Sequence, residues 1–491
     1  MKKFIKITTS LAALIFIFSA ALCSCDSKKE NNDLQANTAE NATEAATVPE
    51  IPDNLPDRDY EGYTFRIYLD ENSYKDMYID EEVGEIVDDA VYKRNKIVEE
   101  RFNINFATVL HDSEWSRGMD GSKSIKAGED AFDLMLTHAR IAYQYANQNM
   151  VIDWLAEMPY ANLEAIWWNQ DVNDDSTMFG KLYCTAGDIS YRGLNCTFCM
   201  IFNKDLFKNL ALDYPYDDVV NGKWTLDKFI SIVKSGSLDL NGDGQITPDA
   251  DRYGLYAGNV WGYPTNILYC GGDRVIAKGT DGAPVLSVYS ERTIDIFSKF
   301  FDALESGSVC VGGEAKNIWQ NPGSIDIFKG GRSLFTQTGM SGLKNLRDME
   351  EEIGVLPVPK YNESTPKYYS LVEAYGGLLT VPVTVSDFER TSIITEALCA
   401  EGYKIIVPAY YEKALKTKYS RDDESEIMLD YIKNSAVYDY GYMNYELAGD
   451  LSSVGATLVQ SASPNFASLY EKNSEKALKN IDKFIEKMEN S

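Results

Sequence analysis

The 491-residue chain predicts an α/β body, and three observations carry that prediction. Strand-like and helix-like periods alternate from about residue 60 onward, beginning with strand, helix, strand. At 44% apolar residues there is material for a large core, enough for two ordinary domains or one bilobal body. Aromatic residues make up 12%, more than a core requires, which leaves rings to face a ligand.

Ahead of that body stands an export signal. Lys2, Lys3 and Lys6 precede the run Leu11 to Leu22, which is apolar apart from Ser19. As a helix this run would rise only about 18 Å, short of the roughly 30 Å needed to span a membrane. It ends Leu22-Cys23-Ser24-Cys25, which resembles the bacterial lipobox and makes residues 1–24 a signal peptide with Cys25 lipidated. Residues 25–57 have no aromatic and few large apolar side chains, so they are expected to be a flexible tether.

The elements of the body follow from period and punctuation. Residues 60–70, YEGYTFRIYLD, alternate as a strand. Residues 85–106 carry Ile86, Ala90, Val91, Ile97 and Val98 at helical spacing, and a second strand runs from Ile104 to Val109. AFDLMLTHAR (131–140) reads as a buried strand ending in a polar turn, where a parallel sheet exposes ligand-facing groups; His138 stands there. Residues 196–212 give an apolar strand and a short helix. KWTLDKFISIVKSG is an amphipathic helix with Thr225 as N-cap. IDIFKGGRSLFTQTG (325–339) ends a helix at a Gly pair and launches a strand, IGVLPVPKYN gives another, and residues 386–491 read as mostly helical. Trp167 and Trp168 are expected to cap a helix of the first part.

Composition excludes several function classes. With 47 basic against 75 acidic residues the net charge is −28, and removal of Lys2, Lys3 and Lys6 with the signal makes it more negative. A polyanion meets repulsion from such a surface, so nucleic acid is not an expected partner. His111 and His138 are the only histidines, which starves His-rich zinc sites and Ser-His-Asp triads of material. Cys196 and Cys199 form a C-x-x-C, but inside an apolar strand-like run, where positions i and i+3 point to opposite faces. They read as small apolar core residues, and the six body cysteines, with Cys184, Cys270, Cys310 and Cys399, are spaced unlike a small disulfide scaffold, which a body this large does not need.

One loop has the spacing of a cation site. In DLNGDGQITPDAD (239–251), Asp239, Asn241 and Asp243 take positions 1, 3 and 5 of a calcium loop, with Gly244 at the sharp turn and the Gln245 carbonyl at position 7. Position 12 is Ala250, so Asp249 or Asp251 would have to complete the site. A structural Ca2+ is the expectation, and a plain Asx-rich turn is its alternative.

The motifs EIVDDAVYKRN, MIFNKDLF, KWTLDKF, DLNGDGQITPDADRYGL, IFKGGRSLF, IGVLPVPKYN and VPAYYEKALKTKYSRDDES, in that order, resemble the extracellular solute-binding proteins (family 1-like) of carbohydrate ABC transporters, in the lipoprotein form of Gram-positive Clostridia. The resemblance implies a type II periplasmic-binding-protein fold of two α/β lobes with a hinge and a helical C-terminal region. It puts lobe one at 58–185 and 331–385, lobe two at 196–330 and 386–491, and the hinge near 185–195 and 330. It also implies a lipid-anchored monomer on the extracellular face of the membrane, touching the membrane only through its anchor. Such a protein captures an oligosaccharide between its lobes and hands it to a permease, with no chemistry on the ligand. A secreted glycosidase or lyase is the alternative.

A sugar site needs flat rings to stack on and polar groups at their edges. The resemblance puts an aromatic platform at Trp261 and Tyr263. Asp188 and Tyr191 are candidates at the hinge, Thr336, Gln337 and Thr338 at a strand end, and Tyr375 in a Glu-Ala-Tyr-Gly-Gly loop. Tyr438, Asp439 and Tyr440 are candidates to close the cleft.

Overall fold

The computed structural model describes residues 51–112, 114–258, 260–312, 326–419 and 422–490. The signal peptide, Cys25 and most of the tether lie outside the described residues. Strand β1 (Tyr63–Asp70) is followed by helix α1 (Ile86–Phe102) and strand β2 (Ile104–His111), as the periodicity predicts. Asn103 turns α1 into β2 in the left-handed conformation that asparagine tolerates. Strand β3 (Leu134–Thr137) leads directly into α2 (Ala139–Asn147). β1 pairs in parallel with both β2 and β3, so Asp70, His111 and Thr137 end on one edge of the sheet.

The chain then enters a second sheet. It comprises β4 (Phe198–Asn203), β5 (Tyr253–Tyr256), β6 (Val309–Cys310), β7 (Ser333–Gly339) and β8 (Ile353–Leu356), in the order β8-β4-β7-β5-β6. Helix α3 (Leu226–Gly236), N-capped by Thr225 as expected, buries Leu226, Phe229 and Val233. Helix α4 (Glu291–Glu305) starts at a Ser290–Thr293 capping box. Strand β9 (Leu378–Thr380) returns to the first sheet, antiparallel to β3, giving the order β9-β3-β1-β2.

Three expected boundaries move. The return expected near Gly330 does not occur there. β7 pairs with β4 and β5, and β8 with β4, so the Gly330–Gly331 turn only reverses the chain within the second sheet. The return lies at 372–379, where bridges Thr197–Val372 and Thr185–Leu379 run it antiparallel to the first crossing. Helix α5 (Phe388–Val407), expected with lobe two, packs on α1 beside the first sheet. Its apolar face joins Phe65, Ile67 and Leu69 in one cluster with Val98, Ile394 and Leu398. Residues 51–57 also depart from a free tether: Ile51 and Leu55 pack on that cluster and the Asp53 carboxylate pairs with Arg101.

After π-helical turns at 408–419, helix α6 (Asp423–Lys433) covers β8, and α7 (Phe466–Glu489) closes the chain. Glu50–Ser491 form one compact unit. A single apolar core runs from Tyr68 and Met135 under α2 to the second sheet and the C-terminal helices. Among the described residues no helix is long and apolar enough to cross a membrane.

Candidate functional site

Where β3 gives way to α2, His138 is the N-cap, and its Nδ1 accepts the Arg140 amide at 3.3 Å. Its ring lies 5.0 Å from Trp115 and meets Tyr375 edge-on at 4.7 Å. Burial, and then the charges of Arg140 and Arg192, hold the imidazole pKa down to about 3, so it is neutral and works as a flat ring. Tyr375 rides a short turn, is 41% exposed, and is held by Glu373, whose carboxylate accepts the Tyr375 amide at 2.7 Å. The other oxygen of Glu373 accepts the Tyr442 hydroxyl at 3.1 Å.

From the second sheet, β5 runs out through Gly258, at φ +68°, to Trp261, which is 39% exposed. Arg140 reaches across from α2. Its Cζ is 5.8 Å from the Trp261 ring, 4.9 Å from Tyr442 and 5.3 Å from Tyr445, and its Nη2 donates to Ser453 Oγ at 3.0 Å. The crossing contributes Arg192, whose Nη1 is 3.6 Å from carboxylate oxygens of both Asp70 and Asp76 and whose Nε donates to the Tyr375 carbonyl. Burial raises Asp76 to about 6 against the pull of Arg192. Rings from both halves thus gather around a few fixed polar groups, the chemistry that receives a molecule with apolar faces and a hydroxylated edge.

Of the expected ligand residues, Trp261 and Tyr375 are in this gathering. Tyr263 is not: it is 1% exposed, opens a helical turn facing inward, and packs between Phe229 and Phe300. Tyr440 is also core, edge-on to Tyr143 at 5.1 Å, its hydroxyl accepting from Asn444 Nδ2. Asp439 caps the turn at 440–443 and accepts the Val275 amide. Asp188 and Tyr438 line a cavity of about 460 Å³ that also touches Trp168, Gly193, Gly377 and Lys433, and neither Trp261 nor Tyr375 lines it. Burial raises the Asp188 carboxyl to about 7.

Tyr191 packs against Tyr410 with ring centroids 4.6 Å apart and planes tilted by 31°, and lines a second cavity of about 260 Å³. Thr338 turns its hydroxyl toward Gly342, where a Cβ would lie 1.9 Å from it, and Thr336 donates to the Tyr256 carbonyl. Gln337, between them, is buried with both amide atoms lacking a hydrogen-bond partner among the described residues. Trp167 and Trp168 are buried, each donating its indole N–H to Glu396 at 2.8 Å. Burial pushes the thiols of Cys196 and Cys199 up to about 12, which makes them poor nucleophiles and ligands.

Sequence reasoning missed Trp115, Arg140, Tyr442 and Tyr445. The signal for Arg140 was present: it stands at the polar end of AFDLMLTHAR, two residues past His138. Tyr442 and Tyr445 are brought in only by the packing of the C-terminal region on α2.

The 239–251 loop satisfies itself. Asp239 accepts the amides of Gly242 and Gly244 at 2.7 and 2.8 Å, Asn241 that of Asp243 at 2.9 Å, and Asp243 that of Gln245 at 2.8 Å. Asp251, expected as a completing ligand, is instead buried under the loop. It accepts from Leu240, Asn241 and Thr247 amides and the Thr247 hydroxyl, and these amides hold its carboxyl below the usual range. Among the described residues no group of three or more His, Cys, Asp or Glu side chains is arranged to hold a metal ion.

No family model matches the sequence, and no curated protein matches it. Solved structures do. A cyclic α-maltosyl-1,6-maltose binding protein from Arthrobacter globiformis is similar with a TM-score of 0.57 at 14% identity, over 85% of this chain and 100% of its own. An ABC substrate-binding protein from Listeria monocytogenes, in complex with cycloalternan, gives 0.52 at 14% over 86% and 99%. A Mycobacterium tuberculosis protein in complex with glycerophosphocholine gives 0.54 at 12% over 81% and 96%. At these identities the likeness is one of fold: the chain has the periplasmic-binding-protein-like α/β fold expected from its sequence.

Proposed function

We propose that this protein captures a carbohydrate between its two sheets and delivers it unaltered to an ABC importer. The observation that carries the reading is the meeting of Trp115, His138 and Tyr375 with Trp261, Tyr442 and Tyr445 around Arg140, at the edge where β1 to β3 end and β5 runs out. Two of those rings, Trp261 and Tyr375, keep about two-fifths of their surface open. The fold supports it, since two of the similar structures are an α-maltosyl-maltose binding protein and one holding cycloalternan. The lipobox-like Cys25 and the export signal support a lipid anchor and an extracellular position, where a capture protein meets its permease.

In this reading the rings stack on the C–H faces of the sugar, and Glu373, Gln337 and Arg140 address its hydroxyls. A calcium ion in the 239–251 loop belongs to the same proposal as a structural element, held by Asp239, Asn241, Asp243, Gln245 and Asp249. The test is calorimetry of the protein with a panel of mono- and oligosaccharides, followed by analysis of the recovered sugar. Reversible saturable binding with unchanged sugar is expected; new reducing ends would make it a glycosidase or lyase instead.

A further inference from the structure

We propose that the sugar this site selects carries an anionic group, a carboxylate of the uronic-acid kind, and that Arg140 is the residue that selects it. The inference rests on the carbohydrate-capture reading and names its substrate class. Among the described residues, every other arginine meets a carboxylate or a carbonyl. Arg58, Arg66, Arg101, Arg117, Arg192, Arg274, Arg292, Arg347 and Arg390 pair with acids, while Arg94, Arg252 and Arg332 donate to main-chain oxygens. Arg140 has one acceptor, the neutral hydroxyl of Ser453, and its Nε is buried with no partner. In a chain of net charge −28, a guanidinium without an acid among the described residues is a departure that needs a cause.

The surroundings supply that cause. Trp261, Tyr442 and Tyr445 place three rings around the guanidinium, which hold its plane and shield its Nε, while Arg140 as a whole stays part-exposed and pairs with no acid among the described residues. A part-shielded planar cation with no acid of its own matches a carboxylate, and the bond is strongest when the charge arrives with the ligand. The other arginine near the rings, Arg192, is already neutralised by Asp70 and Asp76, so the selective charge falls on Arg140 alone. Glu373, engaged by the Tyr375 amide and the Tyr442 hydroxyl, makes no ion pair with Arg140. The negative surface slows the approach of an anion, so preference is read at equilibrium and not from association rate.

The experiment titrates the full chain with matched pairs that differ only in charge: oligogalacturonides and their methyl esters, and glucuronoxylo-oligosaccharides and plain xylo-oligosaccharides. The wild-type protein is expected to bind the acid member of a pair roughly tenfold or more tighter, a preference that salt diminishes. Arg140→Gln is expected to cut the affinity for the acid member far more than that for the uncharged one and so erase the preference, with an unchanged melting transition of the variant as the fold control. Arg140→Lys, which keeps charge and loses the fork, should fall between. Saturable binding of uncharged sugars with no acid preference, or a preference that survives Arg140→Gln, overturns this inference and leaves the capture reading standing. Silence from the whole panel overturns both.

Discussion

Trp261 and Tyr263 stand two residues apart in one segment, yet one is 39% exposed against Arg140 and the other 1% exposed between two phenylalanines. Their replacement should therefore read out differently. Trp261→Ala is expected to weaken sugar binding by about 1 kcal/mol or more with little change in Tm. Tyr263→Ala is expected to cost about 3 kcal/mol or more of stability through the cavity it leaves. Calorimetric titration and thermal melts of both variants check this, and a reversed pattern would remove Trp261 from the site. Asp188 gives a second residue-scale prediction. Its carboxyl is raised to about 7, chiefly by burial, so the folded state holds its proton where the unfolded state has lost it. Stability must then fall as pH rises from the ordinary aspartate range to about 7 and stay lowered above it. Asp188→Asn should remove that slope and raise stability at pH 8 by about 1–2 kcal/mol after allowance for partial exposure, with no gain at pH 4. Melts at the two pH values decide it.

Among elements, those with a clean period were legible in the sequence: β1, α1, β2, β3, β4 and α3 all form close to where spacing and the Thr225 cap put them. What spacing does not contain is partnership. The run that becomes β7 reads the same whether it joins either sheet, and only its pairing with β4 and β5 decides. The same holds for α5, whose face suits any apolar surface and is claimed by α1. Half of the site was legible for a related reason. Trp261 and Tyr375 lie beside glycines that mark exposed turns, whereas Tyr440 is defined as core by Tyr143, almost 300 positions earlier. The 239–251 loop shows how one spacing serves two ends, since its Asx turns form with amides as donors. Asp251→Ala is expected to lower Tm, because four donors lose one buried acceptor. The lowered carboxyl pKa means that this contribution is full above about pH 4 and fades as pH falls below it. A structural Ca2+ predicts a higher Tm with millimolar calcium and a lower one with chelator; unchanged calorimetric traces in both would remove the metal.

Across the whole molecule, α2 links the first sheet to the C-terminal region. Its N-terminal turn supplies His138 and Arg140 to the rings, and its outer face is gripped by the C-terminal region. Gln144 donates to the Tyr445 hydroxyl at 2.6 Å, Asn147 to Asn444 and Glu446 at 2.9 and 2.8 Å, and Lys487 to the Asn147 carbonyl at 2.6 Å. Tyr442 and Tyr445 reach Arg140 only while that grip holds, so the contacts that seal the core also assemble the site. A ligand bridging Trp261 and His138 would add to the same set of contacts and raise Tm on binding. On the proposed function, ring-faced sugars are held here and released unaltered. Titration calorimetry with the oligosaccharide panel, coupled to chromatography of the recovered sugar, tests it most directly. Saturable one-to-one heat that diminishes in Trp261→Ala, with every sugar recovered intact, is the predicted result; cleaved sugar, or no heat from any member of the panel, would contradict it.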